Sequence, residues 1–542
     1  MPGQREARHF TSRHSLPNLD MGQTSLKTLA ELGLSNFQLL ECMLAFVVLI
    51  HAADGAMLPA VFKALEEGLQ GATPVSLGVI VLIEALCHSV AVFVWGVMAD
   101  RGCKLRLLQY AMLLWGFLTL ATALVSSMIS LAVIRALAGI VGAGLGPLAQ
   151  GLVGAVCPPN ERGRAFGFLV AFAQAGHIMG VLLAGATSHL SIIGGWRGSF
   201  ILFSLFTMGL GWVLAQVRTE VSEGLFIESR TWQMLASSRS TTDSWTHLFV
   251  EVAQNCSLIL RRRSFLVLIM QGAFASTTVK AMQYQVMWYQ YLGFSDLAAS
   301  AITSAAPLGC LGGAIASGYL SDWLATRYPN HGRILMGQAA DVAKLLVLFL
   351  IFVVCGSLDA SDAGSVMIMT SLSLSFGFVS IMAYAGVVKP LFVEIVPPQL
   401  IAQVVGFAAA VDGAMSSFAS TPVVGFITEN IFHYKETHLA IGDMNEHMRE
   451  ANATALGRAI AAVTMSTTVL TVLSFGLLHI TYPKDRDPSD DIPEQPLVQI
   501  DQEAVRSSSE GSLDGTSAGT SRSSSASRRG HSVQFKVEYG ST

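Results

Sequence analysis

Long apolar runs separated by short polar breaks fill most of the chain between Phe37 and Tyr482. Two neighbouring runs, Pro74 to Ala99 and Leu107 to Ser126, set the pattern. Each exceeds the ~20 residues a helix needs to cross ~30 Å of hydrocarbon. Between them the polar break Gly96-Val97-Met98-Ala99-Asp100-Arg101-Gly102-Cys103-Lys104-Leu105-Arg106 is short, so the two runs must form a helical hairpin. The same reading gives a first span over 37–59 and a fourth over 129–157. A fifth follows the turn Pro158 to Arg164, and a sixth runs from Gly195-Trp196-Arg197 to near Gln216. Six more are expected at 264–291, 298–322, 333–356, 364–389, 400–428 and 455–482. The pattern predicts an all-α membrane protein with twelve transmembrane helices in two six-helix, pseudo-symmetric halves.

Polar stretches divide the chain further. Residues 1–36 lack an apolar core and read as a disordered cytoplasmic segment, not a signal peptide. The halves cover 37–216 and 264–482, joined by a cytoplasmic linker over 217–263 that ends in Arg261-Arg262-Arg263. From 483 to 542 the tail is rich in Ser, Gly and charge, and is expected to be disordered and cytoplasmic. Orientation comes from the basic residues. Arg101, Lys104, Arg106, Arg162, Arg164, Arg327 and Arg333 fall in loops on one side, against Lys63 and Arg197 in loops on the other. Cytoplasmic loops are enriched in Lys and Arg, which puts both termini in the cytoplasm. Plasma and endolysosomal membranes are not distinguished.

Composition narrows the class. Charged residues make up 13% of the 542 and hydrophobic ones 52%, with a mean hydropathy of +0.53, so a soluble domain is excluded. A net charge of −4 gives no reason to expect nucleic acid. The seven cysteines lack metal-ligand spacing, and neither disulfides nor a metal site are expected. There is no phosphate loop and no nucleophile elbow, so an enzyme, a cofactor and direct ATP-driven transport all lack support. Asn452-Ala453-Thr454 fits a glycosylation acceptor on the outer face.

The halves echo each other. Gly96…Asp100 recurs as Gly318…Asp322 at the cytoplasmic end of the second span of its half. Pro158-Pro159-Asn160 with Phe166-Gly167-Phe168 recurs as Pro397-Pro398-Gln399 with Val405-Gly406-Phe407 at one common offset of 239 residues. Two related six-helix halves are a transporter signature, with the substrate site near the midplane between them.

The hinge Gly96-x-x-x-Asp100-Arg101 with its following Gly and basic residues resembles the loop 2–3 motif of the major facilitator superfamily. Arg135-x-x-x-Gly139 is similar to that superfamily's helix 4 motif. Asp54 with Leu58-Pro59, Gly195-Trp196-Arg197, Arg327 to Arg333 and Phe392 to Pro397 resemble the spinster-like branch. Cys103 stands where the loop motif has glycine, Leu105 replaces a basic residue, and Trp323 follows Asp322 without a basic neighbour. The resemblance implies a gating role for Gly96, Asp100, Arg101, Lys104, Arg106, Gly318 and Asp322. It also implies a cavity lined by helices 1, 4, 7 and 10.

Ionisable residues inside spans are expensive in lipid and face a cavity or a partner. The candidates are Asp54, Glu84, His88, Arg135, His177, Lys280, Asp341, Lys344 and Asp412. The implied cavity selects Asp54, Arg135 and Lys280, with Tyr384 and Lys389, and Lys280 stands in a polar aromatic stretch with Tyr284 and Trp288 that suits a wet wall. Asp54 is expected to act as a proton-responsive switch coupled to Arg135. Each residue has a plainer reading. Asp54–Arg135 can be a structural ion pair, Glu84 and His88 can bond each other one turn apart, and Lys389 can snorkel. His177 reads as a satisfied interhelical hydrogen-bonder, and Asp412 as a packing partner.

These readings predict a monomeric secondary transporter in the lipid bilayer, working by alternating access on a small organic anion or amphipathic metabolite, with proton coupling. A lysolipid or sphingolipid substrate is what the spinster-like resemblance implies. A non-transporting receptor with the tail as its output is the reading from another class.

Overall fold

The computed structural model describes residues 36–101, 103–156, 162–188, 194–222, 260–356, 360, 362–395 and 401–486. The N-terminal segment, most of the linker and the tail expected from sequence lie outside the described residues, as do the turns at 157–161 and 396–400.

Lipid offers no partner to a backbone N–H or C=O, so the chain satisfies both within helices. The first half contains α1 (Asn36–Ala60), a short α2 (Phe62–Gly68), α3 (Pro74–Arg101) and α4 (Lys104–Ala123). It continues with α5 (Met128–Gly142), α6 (Leu145–Val156), α7 (Arg162–Thr187) and α8 (Trp196–Ser222). The second half contains α9 (Arg263–Ala281), α10 (Gln285–Leu292), α11 (Asp296–Arg327), α12 (Gly332–Phe349) and α13 (Ala363–Ala383). It ends with α14 (Lys389–Ile395), α15 (Ile401–Ala419), α16 (Thr421–Phe426) and α17 (Glu446–Arg486). Side chains set several boundaries. The Ser127 hydroxyl accepts from the Ser130 amide at 3.2 Å to start α5, and Ser295 caps α11 through the Ala298 amide at 3.2 Å.

Eleven helical stretches among the described residues are long and apolar enough to cross a membrane. The stretch expected as a further span at 400–428 is not among the eleven and holds two shorter helices, α15 and α16, which part at Ser420, where φ is −102° and ψ −104°. The final span extends beyond the expected 455–482, because α17 begins at Glu446. This corrects the reading of Asn452 as a glycan acceptor. Its side chain is fully buried in α17, with Oδ1 accepting from the Lys435 amide and Nδ2 donating to the Lys435 carbonyl, both at 2.9 Å.

The sequence echo has a packing counterpart. Within the first half α1 packs on α7, α3 on α5 and α4 on α8. Within the second, α9 packs on α15, α11 on α13 and α12 on α17. These are the same partnerships, span for span. Among the described residues the two largest seams between the halves are α3 against α15 and α16, and α7 against α11, and they exchange under the same pseudo-symmetry.

Hydrogen bonds close the seams at the end carrying α2. The Tyr284 hydroxyl donates to the Pro74 carbonyl, the Val75 amide donates to Glu429 Oε1 at 2.7 Å, and the Ser188 hydroxyl donates to Asp296 Oδ2 at 2.6 Å.

Candidate functional site

Arg135 enters the first half from α5 and is only 1% exposed. Its guanidinium holds two carboxylates. Nε and Nη2 donate to the two oxygens of Glu84 on α3 at 3.0 and 2.6 Å, and Nη2 donates to Asp54 Oδ2 on α1 at 3.0 Å. The approach of α5 to α3 depends on Gly139, one turn beyond Arg135. A Cβ there would lie 2.4 Å from the Glu84 carbonyl oxygen, so only glycine allows the backbones this close. The side chain of Asp54 is 1% exposed, that of Glu84 19%.

Two negative charges thus share one positive charge, leaving a formal surplus of one negative charge inside the bundle. Asp54 Oδ1 and Arg135 Nη1 are buried without a hydrogen-bond partner among the described residues. Such a half-filled network can accept one more proton. The sequence reading couples Asp54 to Arg135 and offers His88, one turn away, as a partner that Glu84 can bond. The structure gives Glu84 to Arg135 instead, because the guanidinium fork matches a carboxylate in two places.

The second half has its own polar centre. The Lys280 ammonium on α9 donates to the Gly413 carbonyl at 2.9 Å, Ser416 Oγ at 2.7 Å and Ser417 Oγ at 2.8 Å, which fills its three donors. Asp412 accepts from Ser276 Oγ at 3.0 Å and acts electrostatically on both Lys280 and Tyr384. Tyr384 is half exposed, with the Lys389 ammonium 4.9 Å from its ring centroid. Lys344 lies 2.7 Å from Asp341 Oδ1 within α12, where both are buried.

Tyr284 and Trp288 are placed otherwise than on a wet wall. They are at most 2% exposed and pack at the closed end, where Trp288 Nε1 donates to the Ala453 carbonyl at 3.1 Å.

That end also holds a cluster that sequence reasoning missed. Glu66 on α2, fully buried, accepts from Lys63 Nζ at 2.9 Å, Tyr291 Oη at 2.8 Å and Tyr434 Oη. The His438 ring also contacts the Glu66 carbonyl at 2.8 Å. It ties the first half to two elements of the second. Burial, with the Glu66 carboxylate beside it, pushes the Tyr434 hydroxyl well above its ordinary pKa. The available signal was Lys63-x-x-Glu66, a pair one turn apart in a segment read as a loop.

Of the hinge residues, the side chains of Asp100 and Arg101 lie outside the described residues. Gly96 and Gly318 have open space where a Cβ would be, and Lys104 lies beside Gly151. Asp322 finds in space the basic partner it lacks in sequence. Arg333 reaches it at 2.9 Å, Glu394 at 3.2 Å and Ser321 Oγ at 2.9 Å, and Tyr482 donates to Glu394.

Known proteins share this architecture. The sequence profile of the Major Facilitator Superfamily matches residues 44–420. A probable sulfoacetate transporter of Cupriavidus necator is 25% identical over 348 residues, 62% of this chain and 75% of that protein. A putative inorganic phosphate cotransporter of Drosophila ananassae is 29% identical over 124 residues, 22% of this chain and 25% of that protein. The crystal structure of a bacterial homolog of the human lysosomal transporter Spinster, inward-facing and unoccupied, superposes with a TM-score of 0.65. It is 17% identical, and the match covers 84% of this chain and 99% of that one. With twofold-related halves, buried charges at their centre and a profile spanning most of the chain, this multi-pass integral membrane protein belongs to the major facilitator superfamily and is a secondary transporter, not an enzyme.

Proposed function

We propose that the protein carries a small organic anion, or an amphipathic metabolite with an anionic head, by alternating access coupled to protons. The observation that carries this reading is the sharing of Arg135 by Asp54 and Glu84. The surplus negative charge in a buried network favours uptake of one proton, since an uncompensated buried charge costs several kcal/mol. Glu84, the member with exposed surface, is the entry point, and Asp54 completes the switch across α1. Taking the proton removes the surplus charge that would repel an anion. The similarity to a probable sulfoacetate transporter supports an anionic substrate. The protein works as a monomer in the bilayer, with both termini cytoplasmic and the hinge residues latching the cytoplasmic side.

The test is uptake into proteoliposomes of radiolabelled sulfoacetate, inorganic phosphate and a lysophospholipid, with and without a pH gradient. Gradient-driven accumulation is expected in the wild type. Asp54→Asn and Glu84→Gln should lose accumulation while retaining exchange. Accumulation that survives both substitutions refutes the coupling.

A further inference from the structure

Three histidines stand at the centre of the first half without a task in the scheme above. His51, His88 and His177 come from α1, α3 and α7. The rings of His51 and His88 lie face to face, with centroids 6.1 Å apart and planes within 15°, and Trp115 meets His51 edge-on at 5.3 Å. His177 is brought beside them by the packing of α7 on α1. A Cβ on Gly176 or Gly180 would lie 2.1 or 2.3 Å from the carbonyl oxygens of Leu49 and Ala53, so the two backbones touch on either side of His177. Both other histidines act electrostatically on His51.

The ring nitrogens of all three make no protein hydrogen bond among the described residues, and His177 keeps an exposed surface. An ionisable side chain in a membrane interior without a protein partner faces water or a ligand. The contrast with the basic residues is direct. Lys280 has all three donors occupied, and Arg135 is held by two carboxylates. Arg135 Nη1 is unbonded but fully buried, so the accessible unfilled hydrogen-bonding groups at the centre of the first half are the imidazoles, each of which offers one donor and one acceptor when neutral.

The surrounding charges decide which ligand fits. Asp54 follows His51 by one turn on α1, Glu84 precedes His88 by one turn on α3, and Arg135 faces both from α5. From the second half Lys280 acts on His88, and Asp412 lies beyond it on α15. Their formal sum is one negative charge, which a single proton cancels. The cluster then presents unfilled donors in a neutral surround with Lys280 at its edge.

We propose that His51, His88 and His177 bind the oxyanion head of the transported molecule, a carboxylate, sulfonate or phosphate, and that Arg135 and Lys280 do not touch it. The inference rests on the anion reading above and adds the residues that make the contact. A phosphate head can be free or carried on a lipid, and the chemistry of the contact is the same.

Equilibrium binding to the purified full-length protein at mildly acidic pH tests it, with glycerol 3-phosphate, 1-palmitoyl lysophosphatidate and uncharged glycerol as probes. Binding of both phosphates identifies a free-anion site, and binding of the lysophosphatidate alone identifies a headgroup site. Glycerol should not bind. His88→Phe and His177→Phe, which keep ring bulk and remove the donor, should each weaken binding by about tenfold, the effect of one lost hydrogen bond to a charged group. His88→Gln and His177→Gln, which keep a donor, should restore part of it. Melting temperature without ligand, measured on each variant, separates a lost contact from a lost fold. Wild-type affinity in His51→Phe, His88→Phe and His177→Phe, with binding lost in Lys280→Met, overturns the proposal while leaving the anion reading intact. A wild type that binds neither phosphate, or binds glycerol equally well, overturns both.

Discussion

Replacing Arg135 by Met removes the one cation that two carboxylates share. Three hydrogen bonds disappear, at 2.6, 3.0 and 3.0 Å, and Asp54 and Glu84 are left facing each other without compensation. Breaking a buried pair by removing one partner costs about 3–5 kcal/mol, most of it from the charge left behind. The partial exposure of Glu84 lets solvent screen one of the two carboxylates, which places Arg135→Met at the lower end, about 3 kcal/mol. If the loss comes from stranded charge, neutralising the carboxylates should reverse it. The triple variant Arg135→Met, Asp54→Asn, Glu84→Gln should regain most of the lost stability and remain inactive in transport. The assay is unfolding of the purified protein in denaturing detergent, with all single and double combinations measured as a cycle. Coupling energies of about 0.5–3 kcal/mol are expected between Arg135 and each carboxylate. A single substitution costing under about 1 kcal/mol, or a triple variant no more stable than Arg135→Met, would refute the reasoning.

Other residues yield sharper, narrower outcomes. Gly139→Val puts side-chain atoms where a Cβ alone would meet the Glu84 carbonyl oxygen at 2.4 Å, and overpacking should cost about 1–3 kcal/mol and abolish transport, read by melting and uptake. Lys63→Met strands the buried Glu66 and should loosen the closed end, so that Leu69→Cys in that background reacts with a membrane-impermeant maleimide faster than Leu69→Cys alone. Because folding raises the Tyr434 pKa, the folded state keeps a proton that the unfolded chain releases near pH 10. The stabilisation is complete below that pH and is lost as pH rises beyond it, so the alkaline fall in melting temperature should be shallower in Tyr434→Phe. Arg333→Ala should release Asp322 and Glu394 together, seen as faster proteolysis of the loop between α11 and α12.

The helices were legible because hydrophobic length in a membrane admits one solution, and the hinge and echo motifs placed the halves. The pairing of Asp54 with Arg135 was legible only through the resemblance, which implies that helices 1 and 4 face one cavity and so brings the two buried opposite charges together. What the sequence concealed depends on helix rotation. Glu84 has His88 one turn away on its own helix, yet Gly139 lets α5 approach so closely that Arg135 outcompetes it. His51 stands in an apolar run and carries the same signal as Asp54 three residues later, but a neutral imidazole draws less notice than a carboxylate. Glu66 and Lys63 read as loop residues because their burial is made by Tyr291 and Tyr434, more than 200 residues away. The tyrosine and tryptophan at positions 284 and 288 looked suited to a wet wall, and their polar atoms turned out to serve the backbone of the closed end.

The central claim is that one proton resides on the network of Asp54, Glu84 and Arg135. Infrared difference spectroscopy of the purified protein across a pH titration tests it without knowledge of the substrate, because a protonated buried carboxyl gives a C=O stretch distinct from that of a carboxylate. The account predicts one such band per molecule on acidification, lost or displaced in Glu84→Gln and in Asp54→Asn. No band, or one that both substitutions leave unchanged, would contradict it.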